Sequence, residues 1–382
     1  MKREFFKLYI FIFLKYFSFL TNLLVIFFMD YLHFSFFHIT VIYAIMSLSV
    51  TIFEVPTGIL ADKFSRKYSI FGGQCLGILL TLSLLFFKNF YFFIIWAILS
   101  GLEYSLSSGS IVSLVYDNMK YLGIEEDFPK VQSNYKSTME ISIFVSGFLS
   151  GFIASISFSL AIYLTALVKI TSILVLLTIK EYPYKAKERR RVAEIWKNSL
   201  SFLKSNHMLI HMIVIFIFVE IFIDTLMSLS QAYIYFIMPS LPIVTISLSF
   251  VYISSIIGYK TPYKFQRKIY PWAPFIIGLI VIFLGIYHTW LSILFMICIQ
   301  IINAMFIIIW QTNFQKSIPS EERATLTSFT YFIITFILFI FYTTYGYIVD
   351  IVGLFNAIFY TSTAFFIMFL IYYLTICRKV RF

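Results

Sequence analysis

The sequence predicts an all-helical integral membrane protein of about twelve spans, arranged as two six-helix bundles related by pseudo-twofold symmetry. Three observations predict it. Hydrophobic residues fill 60% of the 382 positions and charged residues only 12%, about half the charged share of a soluble domain. Apolar runs recur along the chain at lengths near the ~20 residues that a bilayer-crossing helix needs. The second half also carries a faded copy of a charged loop in the first: with one insertion, Gly258, Arg267 and Lys268 echo Gly58, Arg66 and Lys67.

The runs fall at 5–29, 40–55, 68–87, 91–116, 136–156 and 160–179, and then at 207–229, 243–258, 270–287, 289–312, 324–348 and 353–376. The implied organisation is a bundle over 1–180, a basic linker over 181–206 and a second bundle over 207–382. Met1-Lys2-Arg3-Glu4 leads into a long apolar run without a small-residue cleavage site, which reads as a retained first helix. Within the linker, Ile195, Trp196, Ser199, Leu200 and Leu203 share a helical spacing. That pattern suits an amphipathic helix on the inner leaflet, either as a tether between the bundles or as a sensor of anionic lipid.

The formal charge of +11 does not point to nucleic acid, because the basic residues follow membrane topology. Lys2, Arg3, Lys63, Arg66, Lys67, Lys120, Lys130, the linker cluster, Lys260, Lys264, Arg267, Lys268, Lys316, Arg323, Arg378, Lys379 and Arg381 collect on one side of the predicted spans; Lys88 stands almost alone on the other. Basic loops stay inside, so both termini are expected in the cytoplasm. The three cysteines are scattered in or beside apolar runs, and no disulfide framework follows.

Four charges fall within six residues at Asp62, Lys63, Arg66 and Lys67, after Pro56 and Gly58 at the end of the second run. Asp62 adds nothing to a positive-inside signal, so a second purpose is expected of this knot. Inside the runs stand Lys15, Glu103, Glu140, Lys169, Glu220 and Asp224. Each costs at least ~2.5 kcal/mol to place there, so each is a candidate for function. On the seventh run Glu220, Asp224, Ser228 and Gln231 follow a helical spacing, as do Ser100, Glu103, Ser107 and Ser110 on the fourth and Lys15, Ser18 and Asn22 on the first. The tenth adds Gln300 and Asn303. These faces could form one polar substrate site. Lys15 could equally pair with Glu103 and only hold helices together. Glu220 and Asp224, one turn apart, repel, so one of them is expected to keep a proton, which suits proton coupling.

His207 and His211 have metal-ligand spacing, but without a third ligand nearby they read as an interfacial pair, and no metal or cofactor is expected. No nucleophile elbow, phosphate loop or His-Asp cluster argues for an enzyme. The expected partners are a small-molecule substrate, protons and the lipid bilayer, with the chain acting as a monomer.

The stretch Gly58-Ile59-Leu60-Ala61-Asp62-Lys63-Phe64-Ser65-Arg66-Lys67 resembles the signature loop of the major facilitator superfamily, departing at Ser65 where that family usually has Gly. Glu54-Val55-Pro56-Thr57-Gly58 looks like the variant of bacterial efflux-type members. The resemblance implies the major facilitator fold, secondary active transport by alternating access and a bacterial cytoplasmic membrane. It also implies a cytoplasmic gate of Glu54, Gly58, Asp62, Arg66, Lys67 and Asp117, in which Asp62 faces the start of helix eleven at Ser320, Glu321 and Glu322, and Arg66 reaches Asp117. The function expected is proton-coupled export of a hydrophobic, drug-like compound, with uptake or facilitated passage of a small metabolite as the alternative. Gly147-Phe148-Leu149-Ser150-Gly151-Phe152 lies where antiporter members carry Gly-Pro-x-x-Gly-Gly, and Phe148 and Phe152 weaken that match.

Overall fold

The computed structural model describes residues 2–182, 206–318 and 323–377, and among these it is helical throughout, with no strand. The principal helices are α1 (Lys2–Tyr16), α2 (Phe36–Lys63), α3 (Arg66–Ser83), α4 (Phe90–Tyr121), α5 (Phe128–Ile156) and α6 (Phe158–Thr178). They are followed by α7 (His207–Met227), α8 (Leu241–Ile253), α9 (Ala273–Ile286), α10 (Ser292–Lys316), α11 (Arg323–Val352) and α12 (Leu354–Tyr372). The predicted linker helix lies outside the described residues.

Ten of the described helical segments are long and apolar enough to cross a membrane, and α9 with the preceding Tyr263–Ile269, bent by 65°, makes an eleventh. The remaining expected span is α3, whose apolarity is diluted by Arg66, Lys67, Gln74 and its glycines. Polar caps set the boundaries. Asn89 accepts from Tyr91 N at the start of α4, Ser157 from Ser159 N at α6 and Asn206 from Leu209 N at α7, each satisfying an amide the helix leaves open. Gly353, at φ 82°, separates α11 from α12 in a conformation that excludes a side chain.

Two expectations change. Pro56 and Gly58 do not end the second run; α2 continues through both to Lys63. A proline removes a single backbone donor, and helices inside a membrane tolerate such a loss when neighbouring side chains and packing hold them; the Thr57 hydroxyl donates to Phe53 O at 2.8 Å in the same turn. Spans one and seven are broken. α1 stops at Tyr16 and the chain resumes as a 3-10 turn at Thr21–Leu23, while α7 stops at Met227 before a short helix, Ser230–Ile237. The faces drawn from Lys15 to Asn22 and from Asp224 to Gln231 are therefore interrupted, since a helical spacing holds only along an unbroken helix.

The chain divides into two compact units. The first is Met1–Phe34, Ile42–Glu188 and Ser240–Ser249; the second is Ser35–Val41, Arg189–Pro239 and Phe250–Phe382. The first unit has a core in which Leu8, Phe11 and Ile12 of α1 pack with Ile111, Leu114 and Met119 of α4 and Leu176 beyond Lys169 on α6. The second is organised by aromatic rings: Trp310 lies 4.2 Å from Phe216 and 4.8 Å from Phe314, and its indole donates to Met212 O at 2.9 Å.

Candidate functional site

In the first unit, an ion pair spans two helices across a gap in a third. Lys169 Nζ of α6 lies 3.7 Å from Glu103 Oε1 of α4. Gly77 of α3 makes the room: a methyl group there would come within 2.7 Å of Lys169 Nζ and 2.8 Å of Glu103 Oε1. Lys15 ends α1, where the carbonyl end of the helix favours a cation. Its ammonium lies 4.7 Å from the Tyr16 ring centroid and within electrostatic reach of both Glu103 and Lys169. Tyr16 is held by a 2.8 Å hydrogen bond with the Tyr135 hydroxyl. Glu103 is thus paired with Lys169 rather than with Lys15, and Lys169 gains the partner that its sequence position did not supply.

Buried polar groups flank this ion pair. Gln74, Ser107 and Ser172 are each fully buried, and both amide atoms of Gln74 and both serine hydroxyls have no hydrogen-bond partner among the described residues. Asn22 is buried in the 3-10 turn, and its amide occupies the space that a side chain at Gly147 would need. Ser249 and Thr245 similarly close on Gly147 and Gly151. The glycine seam of α5 therefore serves close packing. Glu140 is half-buried on α5, one turn after Lys136.

The charged turn between α2 and α3 is a second centre of the first unit. Arg66 pairs with Asp117 of α4, and its guanidinium lies 3.4 Å from Asp62. The Arg66 and Asp117 side chains are only 12% and 18% exposed. Ser65, the departure from the family pattern, is extended and caps α3 by accepting from Tyr68 N. Its hydroxyl also donates to Glu181, whose carboxylate accepts from Arg66 N at 2.8 Å and Lys67 N at 3.4 Å. A carboxylate on open helix amides is favoured by hydrogen bonding and by the helix dipole. Lys67 Nζ donates to Leu177 O and Ile179 O at 2.9 and 2.7 Å, and the Asn118 amide joins Lys180 O to Tyr182 N. The exit of α6 is thereby tied to this turn. Reading the sequence missed Glu181, whose only signal was an acid directly after a long apolar run. Glu54 is exposed and Gly58 half-buried on the last turns of α2. The expected partner of Asp62, at Ser320, Glu321 and Glu322, lies outside the described residues.

The second unit holds Glu220 and Asp224 one turn apart on α7, both half-buried. Among the described residues no cation pairs with either. Asp224 accepts a hydrogen bond from Tyr342 of α11, and its backbone carbonyl takes the Ser228 hydroxyl at the end of α7. Tyr345, one turn on along α11, donates to Thr225 O at 2.6 Å and fixes α11 against α7. Gln300 and Asn303 are half-buried on α10, and Asn303 Oδ1 has no hydrogen-bond partner among the described residues. His211 bonds to the Tyr372 hydroxyl at 2.5 Å. No group of three metal-ligating side chains occurs among the described residues.

A mostly buried ion pair, two acids with no cation beside them among the described residues, and broken helices inside apolar spans are the equipment of a carrier that moves polar solutes through lipid. No curated protein matches the chain in sequence. Among solved structures, a variant of the nucleoside transporter NupG is similar at a TM-score of 0.79 and 16% identity, covering 96% of this chain and 97% of that one. The POT family transporter PepTSo is similar at 0.76 and 13%, covering 99% and 98%. At such identities the likeness concerns the fold alone. The sequence profile of the Major Facilitator Superfamily matches residues 6–342, and with this coverage, the fold and the buried charge the chain belongs to that family of secondary transporters.

Proposed function

We propose that the chain is a proton-coupled transporter in which Glu220 and Asp224 carry the proton. The observation that supports this best is the pair itself: two carboxylates one turn apart inside a span, with a tyrosine and no cation as described partner. Two buried like charges at that spacing repel, so the pair binds a proton readily. Releasing it restores a charge whose burial is costly, and this makes reorientation depend on protonation. The turn at Asp62, Arg66 and Asp117 serves as the cytoplasmic latch, with Glu181 bracing it.

Two readings of the cargo stand beside each other. Export of a hydrophobic compound follows from the efflux-type pattern at Glu54-Val55-Pro56-Thr57-Gly58. Uptake of a small polar metabolite is favoured by the charged cluster of the first unit, and the similar structures are described as nucleoside and POT family transporters. The deciding experiment is a solute screen in proteoliposomes carrying an imposed pH gradient. Proton-driven extrusion supports export and accumulation supports uptake; a folded protein that moves no solute sinks the transport reading.

A further inference from the structure

Counting charge around Gly77 gives two ammonium groups, Lys15 and Lys169, against one carboxylate, Glu103. The carboxylate is committed to Lys169 by the 3.7 Å contact and by the gap Gly77 leaves for it. The cluster therefore keeps one net positive charge: Lys15, with an aromatic ring and a helix end as neighbours, shares Glu103 with Lys169 and has no second anion beside it among the described residues. A net charge inside a span is expensive and is ordinarily cancelled.

A second observation points the same way. One turn from the pair on each of three helices sits a fully buried polar side chain with unpaired atoms: Gln74, three residues before Gly77; Ser107, four after Glu103; and Ser172, three after Lys169. Buried polar atoms are nearly always paired, so several orphans around one ion pair mark a place where another molecule supplies the partners. All three can donate hydrogen bonds, as Lys15 can. An anion satisfies these donors and the uncancelled positive charge together, whereas Gln74 Oε1, itself an acceptor, calls for a donor such as a hydroxyl of the same molecule.

We propose that this cluster receives an anionic group, a carboxylate or a phosphate, of the transported molecule, with Lys15 as its counter-ion. The inference rests on the reading of the chain as a transporter and names the substrate class. It sets aside a purely hydrophobic or cationic cargo, because such a molecule would leave Lys15 uncancelled.

The test uses the full chain in proteoliposomes and a defined mixture of monocarboxylates, phosphate esters, neutral nucleosides and amines. The wild type is expected to move carboxylates or phosphate esters, and which of the two it moves identifies the source of the anion. Lys15→Met should slow that movement by at least about tenfold, as expected for a lost charge-assisted hydrogen bond, and Lys15→Arg should restore most of it. Net charge supplies a control that a merely structural role would not follow. Lys169→Met leaves Glu103 free to neutralise Lys15 and should abolish the anion preference; Glu103→Gln combined with Lys169→Met should bring it back. Movement of neutral solutes or amines alone overturns the inference and leaves the transporter reading intact. An anion rate unchanged in folded Lys15→Met also overturns it. If no solute moves at all, the transporter reading fails, and this inference fails with it.

Discussion

Glu103 in the first unit and Glu220 with Asp224 in the second are the same kind of residue in the same kind of place, a carboxylate on an apolar helix. Their surroundings differ. Glu103 is held by Lys169 in a slot that Gly77 leaves open, whereas Glu220 and Asp224 have each other and Tyr342 but no cation among the described residues. The first carboxylate is a fixed element of the architecture. The second pair has no described cation to fix its charge, which is why the proposed proton coupling is placed there. Buried acids therefore cannot be assigned to function by counting them; the decisive quantity is whether a cation is committed to each.

The largest expected effect lies on the uncommitted side. Replacing both acids, Glu220→Gln with Asp224→Asn, should reduce pH-driven solute movement to background while leaving solute counterflow, and a pH-dependent rate persisting in that variant would erase the contrast between the units. On the committed side, Arg66→Ala should destabilise the protein by about 2 kcal/mol, read as thermal unfolding in detergent, because it strands the mostly buried Asp117; the partial exposure keeps the loss below that of a fully buried pair. Gly77→Ala should be about 1 kcal/mol less stable than Gly72→Ala, where a methyl group meets nothing within 4 Å, because both gain helix propensity but only the first pushes Lys169 from Glu103. Glu181→Ala should have a similarly small effect, about 1 kcal/mol, seen as faster amide exchange at Arg66 and Lys67, whose N–H groups it accepts. Equal exchange in both proteins would remove Glu181 from the latch.

Helix breaks were the hardest feature to anticipate. The apolar runs announce where spans lie, but 5–29 and 207–229 look unbroken because the residues at each break, Phe17–Leu20 and Ser228–Leu229, are apolar or small and carry no proline or glycine. Pro56 misled in the opposite direction: it reads as a stop, yet α2 runs through it to Lys63, because an apolar span held by its packing can tolerate one missing backbone donor. Ser65 looked like damage to a family pattern and proved to be the cap of α3.

The sequence by itself determined the all-helical membrane class, the order of the spans, the charged turn from Asp62 to Lys67 and the candidate acids. Each of these is written in local composition and spacing, which a bilayer reads directly. Only the tertiary structure decided which charges meet. Lys169 joins Glu103, and Glu181 reaches the amides of Arg66 and Lys67, across 66 and more than a hundred residues of chain. Pairing at such separations is set by helix packing and by the absence of one side chain at Gly77, and no local pattern records it.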